Sequence, residues 1–201
     1  MTASPASPSA AHSGDAAASD WVRRFLPLLA PGGMVLDLAA GHGRHARLLA
    51  AAGMRVEALD RDPAALAALR SIAGVNVTAA DIEVEGGRWP YGGRLFDGVI
   101  VTNYLWRPLL DVLAGALSPG GVLIYETFRS GNEKFGRPSN PAFLLQPGEL
   151  LEVARAAGLE VVAFESGHVE LPRQAAVERI CARRALPGAP PAPLTSSLAR
   201  S

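Results

Sequence analysis

The residues best suited to chemistry are acids and glycines that follow short apolar runs. Asp37 lies in the run 34–38, and Gly41 and Gly43 come directly after that run. Asp60 ends a second run, and Asp81 follows a third. Glycine lets a ligand approach the backbone without meeting a Cβ atom, and a carboxylate can accept paired hydrogen bonds from ribose hydroxyls. The pattern predicts a nucleotide-like ligand at a strand–loop–helix junction.

Two ligands remain open on these residues alone. The stretch from Gly41 to Ala46 fits the G-x-G-x-x-G/A loop of dinucleotide-binding proteins, and Asp60 comes 19 residues after Gly41, where a ribose-binding acid is expected. Asp37 argues against a pyrophosphate, which its carboxylate would repel, and favours a ligand with an ammonium group. Both acids could instead have purely structural roles: Asp60 could cap the next turn, and Asp81 could be an ordinary turn acid.

The elements that must position these residues alternate between strand and helix. This alternation predicts an α/β fold with a doubly wound, mostly parallel sheet. No helix separates the last two strands, so they should form an antiparallel hairpin. The predicted strands are 34–38, 55–59, 75–78, 96–101, 122–127, 159–164 and 174–184. The predicted helices are 21–29, 43–52, 64–73, 108–117 and 147–157. Turns are predicted at 118–121 and 165–172, and a long loop at 128–147, which its length marks as a lid or binding segment.

Composition narrows the class of protein. The chain has 201 residues, of which 49% are hydrophobic, and 19 basic residues balance 19 acidic ones. This balance gives no strong nucleic-acid signal, and no apolar run approaches the roughly 20 residues of a membrane span. A single cysteine, Cys181, excludes an internal disulfide and a cysteine-rich metal site, and no metal is expected. The sequence predicts one domain over 19–186, disordered tails at 1–18 and 187–201, and a cytoplasmic location.

The motifs together resemble the class I S-adenosylmethionine-dependent methyltransferases. The stretch 35–44, Val-Leu-Asp-Leu-Ala-Ala-Gly-His-Gly-Arg, is similar to their motif I, with Ala39 in place of the first glycine. The similarity continues through Ala-Leu-Asp-Arg at 58–61, Ala-Asp-Ile at 80–82, Phe-Asp-Gly-Val-Ile at 96–100 and Leu-Ser-Pro-Gly-Gly-Val-Leu-Ile at 117–124. Within the family, the form of motif I and the minimal size resemble the small bacterial tellurite-resistance and thiol methyltransferases.

This resemblance implies a seven-stranded sheet in the order 3-2-1-4-5-7-6 and S-adenosylmethionine as the cofactor. Asp37 would help to hold the methionine end, Asp60 the ribose, and Asp81 the adenine amino group, with Ile82 and Arg61 beside the ring. The full cofactor-binding set is Asp37, Ala39, Gly41, Gly43, Asp60, Arg61, Asp81, Ile82 and Asn103.

The acceptor of the methyl group is open. The stretch after the fourth strand, Asn-Tyr-Leu-Trp at 103–106, lacks the Asn/Asp-Pro-Pro-aromatic pattern of the family members that methylate nucleic acid bases or protein glutamine. With no added substrate domain, this favours a small-molecule acceptor and a monomer or homodimer. The candidate substrate residues are Tyr104, Trp106, Phe128 and Arg137, although the aromatic residues could be packed core and Arg137 could anchor the loop.

No catalytic residue is required, because a sulfonium methyl group is already activated and a base is needed only for a protonated acceptor. Glu126 and His168 are candidates only. Glu126 could equally form a salt bridge with Arg107 or Arg129, and His168 could be an exposed turn residue. Two other functions stay open: a non-enzymatic module that binds S-adenosylmethionine, and a nicotinamide-dependent oxidoreductase.

Overall fold

The predicted sheet is confirmed in a computed structural model that describes residues 17–84 and 89–188. Within them, seven strands form one sheet in the order β3-β2-β1-β4-β5-β7-β6. The strands are β1 Met34–Leu38, β2 Arg55–Asp60, β3 Val75–Ala79, β4 Phe96–Thr102, β5 Leu117–Phe128, β6 Leu159–Val169 and β7 Ala175–Arg184. The helices are α1 Asp20–Phe25, α2 Arg44–Ala51, α3 Pro63–Ala67, α4 Leu110–Gly115 and α5 Glu149–Ala156. Short 3₁₀ turns lie at Leu26–Leu28, Arg107–Leu109, Asn132–Lys134 and Pro141–Phe143.

The direction of the strands places the loops that can bind a ligand. The strands β1 to β5 are parallel, whereas β7 is antiparallel to both β5 and β6. The order reverses between β1 and β4, which are neighbours in the sheet. In open α/β sheets, ligands bind at such a switch point beyond the carboxyl ends of the strands.

Several helices are shorter than the sequence predicts. The helix predicted at 64–73 ends at Ala67, because the next turns are closed by tighter bonds from residue i+3, such as Leu69 N to Leu66 O at 3.0 Å. The helix predicted at 21–29 is helical only to Phe25 and continues as a 3₁₀ turn that contains a proline.

Two predicted turns are wrong, because strand pairing extends through them. Residues 118–121 lie within β5: Leu117 pairs with Phe96 and Val122 with Gly98, so the residues between form a bulge. The turn predicted at 165–172 starts later, since β6 pairs with β7 as far as Val169. His168 therefore lies in a strand.

The core has two layers, one on each face of the sheet. On one face, alternate residues such as Leu36, Val99 and Tyr125 pack with α4 and α5. On the other, Val35, Ile100 and neighbours pack with α1 and α2. The alternation of side chains puts the buried Asp37 on this second face.

The terminal segments are only partly described. Of the predicted tails, 1–16 and 189–201 lie outside the described residues, while Ala18 is buried. Within the described part of the chain, the search for a helix long and apolar enough to cross a membrane gives none.

Candidate active site

A cleft opens along the carboxyl ends of the parallel strands. It holds about 870 Å³ of space, a figure that includes its solvent-open mouth. The strand order implies that the cleft extends from β3 to β5, about 19 Å at a spacing of about 4.8 Å between strands. One end is lined by Leu59, Asp60, Arg61, Ala80, Asp81, Ile82 and Glu83. The other is lined by Thr102, Thr127, Phe128, Pro138 and Phe143, and Leu38, Ala39, Gly41, Asn103, Tyr104 and Leu105 lie between.

The loop after β1 depends on left-handed backbone. Ala39 has φ 55°, Gly41 φ 55° and Gly43 φ 76°. Glycine adopts this region freely, whereas an alanine there costs about 1–2 kcal/mol. Ala39 replaces the family's glycine and so carries local strain. A Cβ on Gly41 would meet no heavy atom within 4 Å, but a Cβ on Gly43 would lie 2.3 Å from Cδ2 of Leu69.

This difference predicts unequal costs for two alanine substitutions. Gly43→Ala should lower the free energy of unfolding by about 2–4 kcal/mol, since it adds overpacking against the fully buried Leu69 to the backbone strain. Gly41→Ala is the matched control and should cost only the strain, about 1–2 kcal/mol. Urea unfolding of both variants measures the costs, and equal costs would contradict the packing described here.

Asp60 joins the glycine loop to the ribose end of the cleft. Its Oδ2 accepts a hydrogen bond from Gly41 N at 2.7 Å, and its Oδ1 accepts one from Asp62 N at 2.9 Å. Each carboxylate oxygen has a further lone pair for a ligand. The bond from Asp62 N is also that of a residue capping the next turn, so both predicted roles of Asp60 are compatible with the geometry; the cap of α3 itself is Asp62, through Ala64 N.

The other acids differ in their surroundings. Asp81 lines the cleft and its Oδ1 accepts from Glu83 N at 3.0 Å, as in an ordinary turn, so both of its predicted roles are compatible with the geometry. Tyr104 lies beside these two acids, and burial followed by the nearby Glu83 carboxylate raises the pKa of its phenol above the ordinary range. Tyr104 therefore borders the β3 end of the cleft.

Asp37 is buried beneath the loop and does not line the cleft. Burial raises the pKa of its carboxyl to about 7, opposed by the amide of Ala46 and the charge of Arg44. Its Oδ2 has no hydrogen-bond partner among the residues that the structure describes. A cation close to the loop would therefore compensate this carboxylate.

The remaining predicted residues divide between the cleft and its surroundings. Arg61, Ile82, Asn103 and Phe128 line the cleft. Gly43, Trp106 and Arg137 are outside its lining: Trp106 packs against the core, and Arg137 is exposed beside Pro138, which does line it.

Glu126 faces α1 rather than the cleft. Its Oε1 accepts from Ser19 Oγ at 2.9 Å, and its Oε2 lies 2.6 Å from Arg179 Nε. The alternative partners Arg107 and Arg129 are both wrong, because β5 alternates and Glu126 points away from them. Arg107 binds Glu149 on the opposite layer, and Arg129 donates to Ser166.

His168 lies near the end of β6 and outside the cleft lining. Its ring stacks on Phe135 with 4.5 Å between centroids, and its Nδ1 is 3.4 Å from Glu170. The sequence reasoning missed Thr102, Thr127, Pro138 and Phe143. Thr102 ends β4 and Thr127 is the residue before the end of β5, so the rule that ligands bind at the carboxyl ends of strands could have found them. Pro138 and Phe143 lie in the loop 128–147, which was predicted as a lid or binding segment, but no pattern within the loop marks these two residues.

Known structures share this fold. TehB from Haemophilus influenzae is 19% identical with a TM-score of 0.65; the match covers 82% of this chain and only 61% of TehB. An S-adenosylmethionine-dependent methyltransferase from Mesorhizobium loti is 19% identical with a TM-score of 0.64, covering 81% and 95%. The 1,6-didemethyltoxoflavin-N1-methyltransferase from Burkholderia thailandensis, solved with S-adenosylhomocysteine, is 24% identical with a TM-score of 0.60, covering 82% and 76%. No curated protein matches the sequence.

The sheet order and the cleft define the class of protein, a Rossmann-like fold of the methyltransferase type. The family described as "Methyltransferase domain" matches residues 35–121, from β1 into β5. The predicted resemblance to S-adenosylmethionine-dependent methyltransferases is thus confirmed, and S-adenosylmethionine is the cofactor of this class.

Proposed function

We propose that the chain transfers a methyl group from S-adenosylmethionine to a small-molecule acceptor. The observation that carries the proposal is the cleft in which Asp60 and Asp81 lie at the ends of neighbouring strands, next to the open backbone of Gly41. This spacing suits a nucleoside whose ribose and base meet successive acids.

Each residue would then have a defined role in holding the cofactor. Asp60 would accept from the ribose hydroxyls, and Asp81, Ile82 and Arg61 would surround the adenine. The loop at 39–43 would face the methionine end, where the buried charge of Asp37 favours an ammonium group. Asn103 lies in left-handed backbone at φ 55° and would contact the same end.

When bound, S-adenosylmethionine supplies an activated methyl group on a sulfonium. The chain's own residues orient the acceptor and exclude water at the end of the cleft nearest β4 and β5. Among the described lining residues at that end, the polar side chains are Thr102 and Thr127, and no histidine, aspartate or glutamate is present. We therefore propose that the acceptor atom uses its own lone pair and that any proton it carries is released to solvent at the open mouth of the cleft, without Glu126 or His168 as base.

The test is incubation of the folded chain with radiolabelled S-adenosylmethionine and a panel of thiols, phenols, amines, metalloid oxyanions and RNA. The proposal expects label in at least one small molecule and none in RNA. Cofactor binding with no transfer to any acceptor would favour the non-enzymatic module instead. The cytoplasmic location and the monomeric or homodimeric state stay predictions.

A further inference from the structure

We infer that the acceptor is a neutral, apolar molecule, and that oxyanions are excluded. The inference rests on the proposed function, because it concerns the end of the same cleft that the cofactor would leave free. This end, the acceptor compartment, is lined by Thr102, Thr127, Phe128, Pro138 and Phe143.

Among the described lining residues, the charged side chains are all at the other end of the cleft. Asp60, Arg61, Asp81 and Glu83 are the charged residues in the described lining, and they follow β2 and β3. The acceptor compartment therefore offers two aromatic rings, a proline and the hydroxyl of Thr127, while the hydroxyl of Thr102 already contacts Arg44 at 3.5 Å and His45 Nδ1 at 3.4 Å. A charged acceptor would lose its hydration there without gaining a counter-charge, which costs several kcal/mol.

Charged groups lie around the compartment but outside its described lining, and they interact with one another. The Arg44 guanidinium donates to Thr102 Oγ1 at 3.5 Å and interacts with the carboxylates of Glu126 and Asp37. The guanidinium of Arg173 lies 5.2 Å from the ring centroid of Phe128 and donates to Arg137 O at 3.5 Å; Arg173 is exposed and does not line the cleft. Glu126, which is the register partner of Thr102, forms an ion pair with Arg179. None of these charged residues belongs to the described lining of the cleft.

Arg107 holds in place the segment 142–144, which brings Phe143 to the acceptor compartment. Its Nε and Nη2 donate to the two carboxylate oxygens of Glu149 at 2.7 and 3.0 Å. The same side chain donates to Ala142 O at 2.9 Å and Leu144 O at 2.8 Å, the residues on either side of Phe143. A bidentate pair of this kind fixes geometry as well as charge.

Two further buried side chains fix the ends of the same loop. Asn132 donates to Pro138 O at 2.9 Å and accepts from Ala176 N at 3.2 Å. The fully buried Glu178 accepts from Gly148 N at 2.6 Å and Leu150 N at 2.9 Å. These hydrogen bonds hold Pro138 and Phe143 in place, so the acceptor compartment is preformed. An acceptor must therefore suit a lining without charged side chains.

The experiment compares three probes of equal size on protein saturated with S-adenosylhomocysteine. The probes are 5-hydroxymethylindole (neutral), indole-5-carboxylate (anion) and 5-aminomethylindole (cation), and calorimetry measures their affinities. We expect the neutral probe to bind at least tenfold more tightly than either ion, and selenite and tellurite to give no binding and no methylated product. Equal or tighter binding of either charged probe would overturn the inference.

A matched pair of variants tests whether the neutral probe binds in the acceptor compartment. Phe143→Ala should weaken binding of the neutral probe at least fivefold and leave the affinity for S-adenosylhomocysteine unchanged. Phe135→Ala is the control, because Phe135 belongs to the same loop but stacks on His168 outside the cleft.

The outcomes distinguish a failure of the proposed function from a failure of the acceptor assignment. If the unsubstituted chain did not bind S-adenosylhomocysteine, the proposed function would be refuted. Normal S-adenosylhomocysteine binding with no binding of the neutral probe, or with equal effects of the two phenylalanine variants, would refute only the assignment of the acceptor.

Discussion

Replacement of Asp60 by alanine should weaken the binding of S-adenosylhomocysteine about 100-fold, or about 3 kcal/mol. The carboxylate would form charged hydrogen bonds with the ribose hydroxyls, each worth about 1.5–3 kcal/mol. It also orders the loop through Gly41 N, so its loss removes a second contribution to binding. Calorimetric titration of the purified variant measures the change.

Asp62→Ala is the control for this substitution. Asp62 is exposed, lies outside the cleft lining and caps α3 through Ala64 N. Its removal should cost about 1 kcal/mol of stability without changing the affinity for S-adenosylhomocysteine. If Asp60→Ala bound the ligand as tightly as Asp62→Ala, Asp60 would not be the ribose residue.

The second large effect concerns the pH dependence of stability through Asp37. Burial raises the pKa of its carboxyl from 3.8 to about 7 in the folded chain. Between these values the folded state holds a proton that the unfolded state has released. The free energy of unfolding therefore falls as pH rises from about 4 to about 7, by as much as about 4 kcal/mol from this one group.

Asp37→Asn removes the titration while it keeps the size of the side chain. Without ligand, the variant should match the unsubstituted chain near pH 4 and be more stable by about 2–4 kcal/mol at pH 8. Urea unfolding at both pH values measures the difference, with the exposed Asp111→Asn as the control. A variant that is less stable at pH 8 than the unsubstituted chain would show that the ionised carboxylate is compensated in the free protein.

The parallel strands and the hairpin could be predicted because they depend on strong, repeated signals, whereas the strand order was implied by the family resemblance. Apolar runs separated by helix caps and glycines predict the parallel strands, and the absence of a helix before the last strand predicts the antiparallel pair. The exact ends of elements depend on tertiary pairing. Residues 118–121 read locally as a turn, yet they form a bulge inside β5 because both neighbours pair with β4. The extension of β6 to Val169 likewise depends on β7.

The candidate site likewise contains residues whose position could be inferred from the sequence and residues whose position could not. Asp60 and Asp81 follow strands directly, so their place at the edge of the sheet could be inferred from sequence. Pro138 and Phe143 reach the cleft only because Arg107 and Asn132 hold the loop from distant parts of the chain. The partner of Glu126 also depended on the face of β5 that its side chain occupies, and a one-residue difference in pairing would have reversed that face.

Calorimetric titration of the unsubstituted chain with S-adenosylhomocysteine, and separately with NADH, decides which ligand the cleft binds. We expect saturable one-to-one binding of S-adenosylhomocysteine and no binding of NADH at the same concentrations. Folded protein that gives no heat with S-adenosylhomocysteine, or that binds NADH in its place, would contradict the assignment of the cleft.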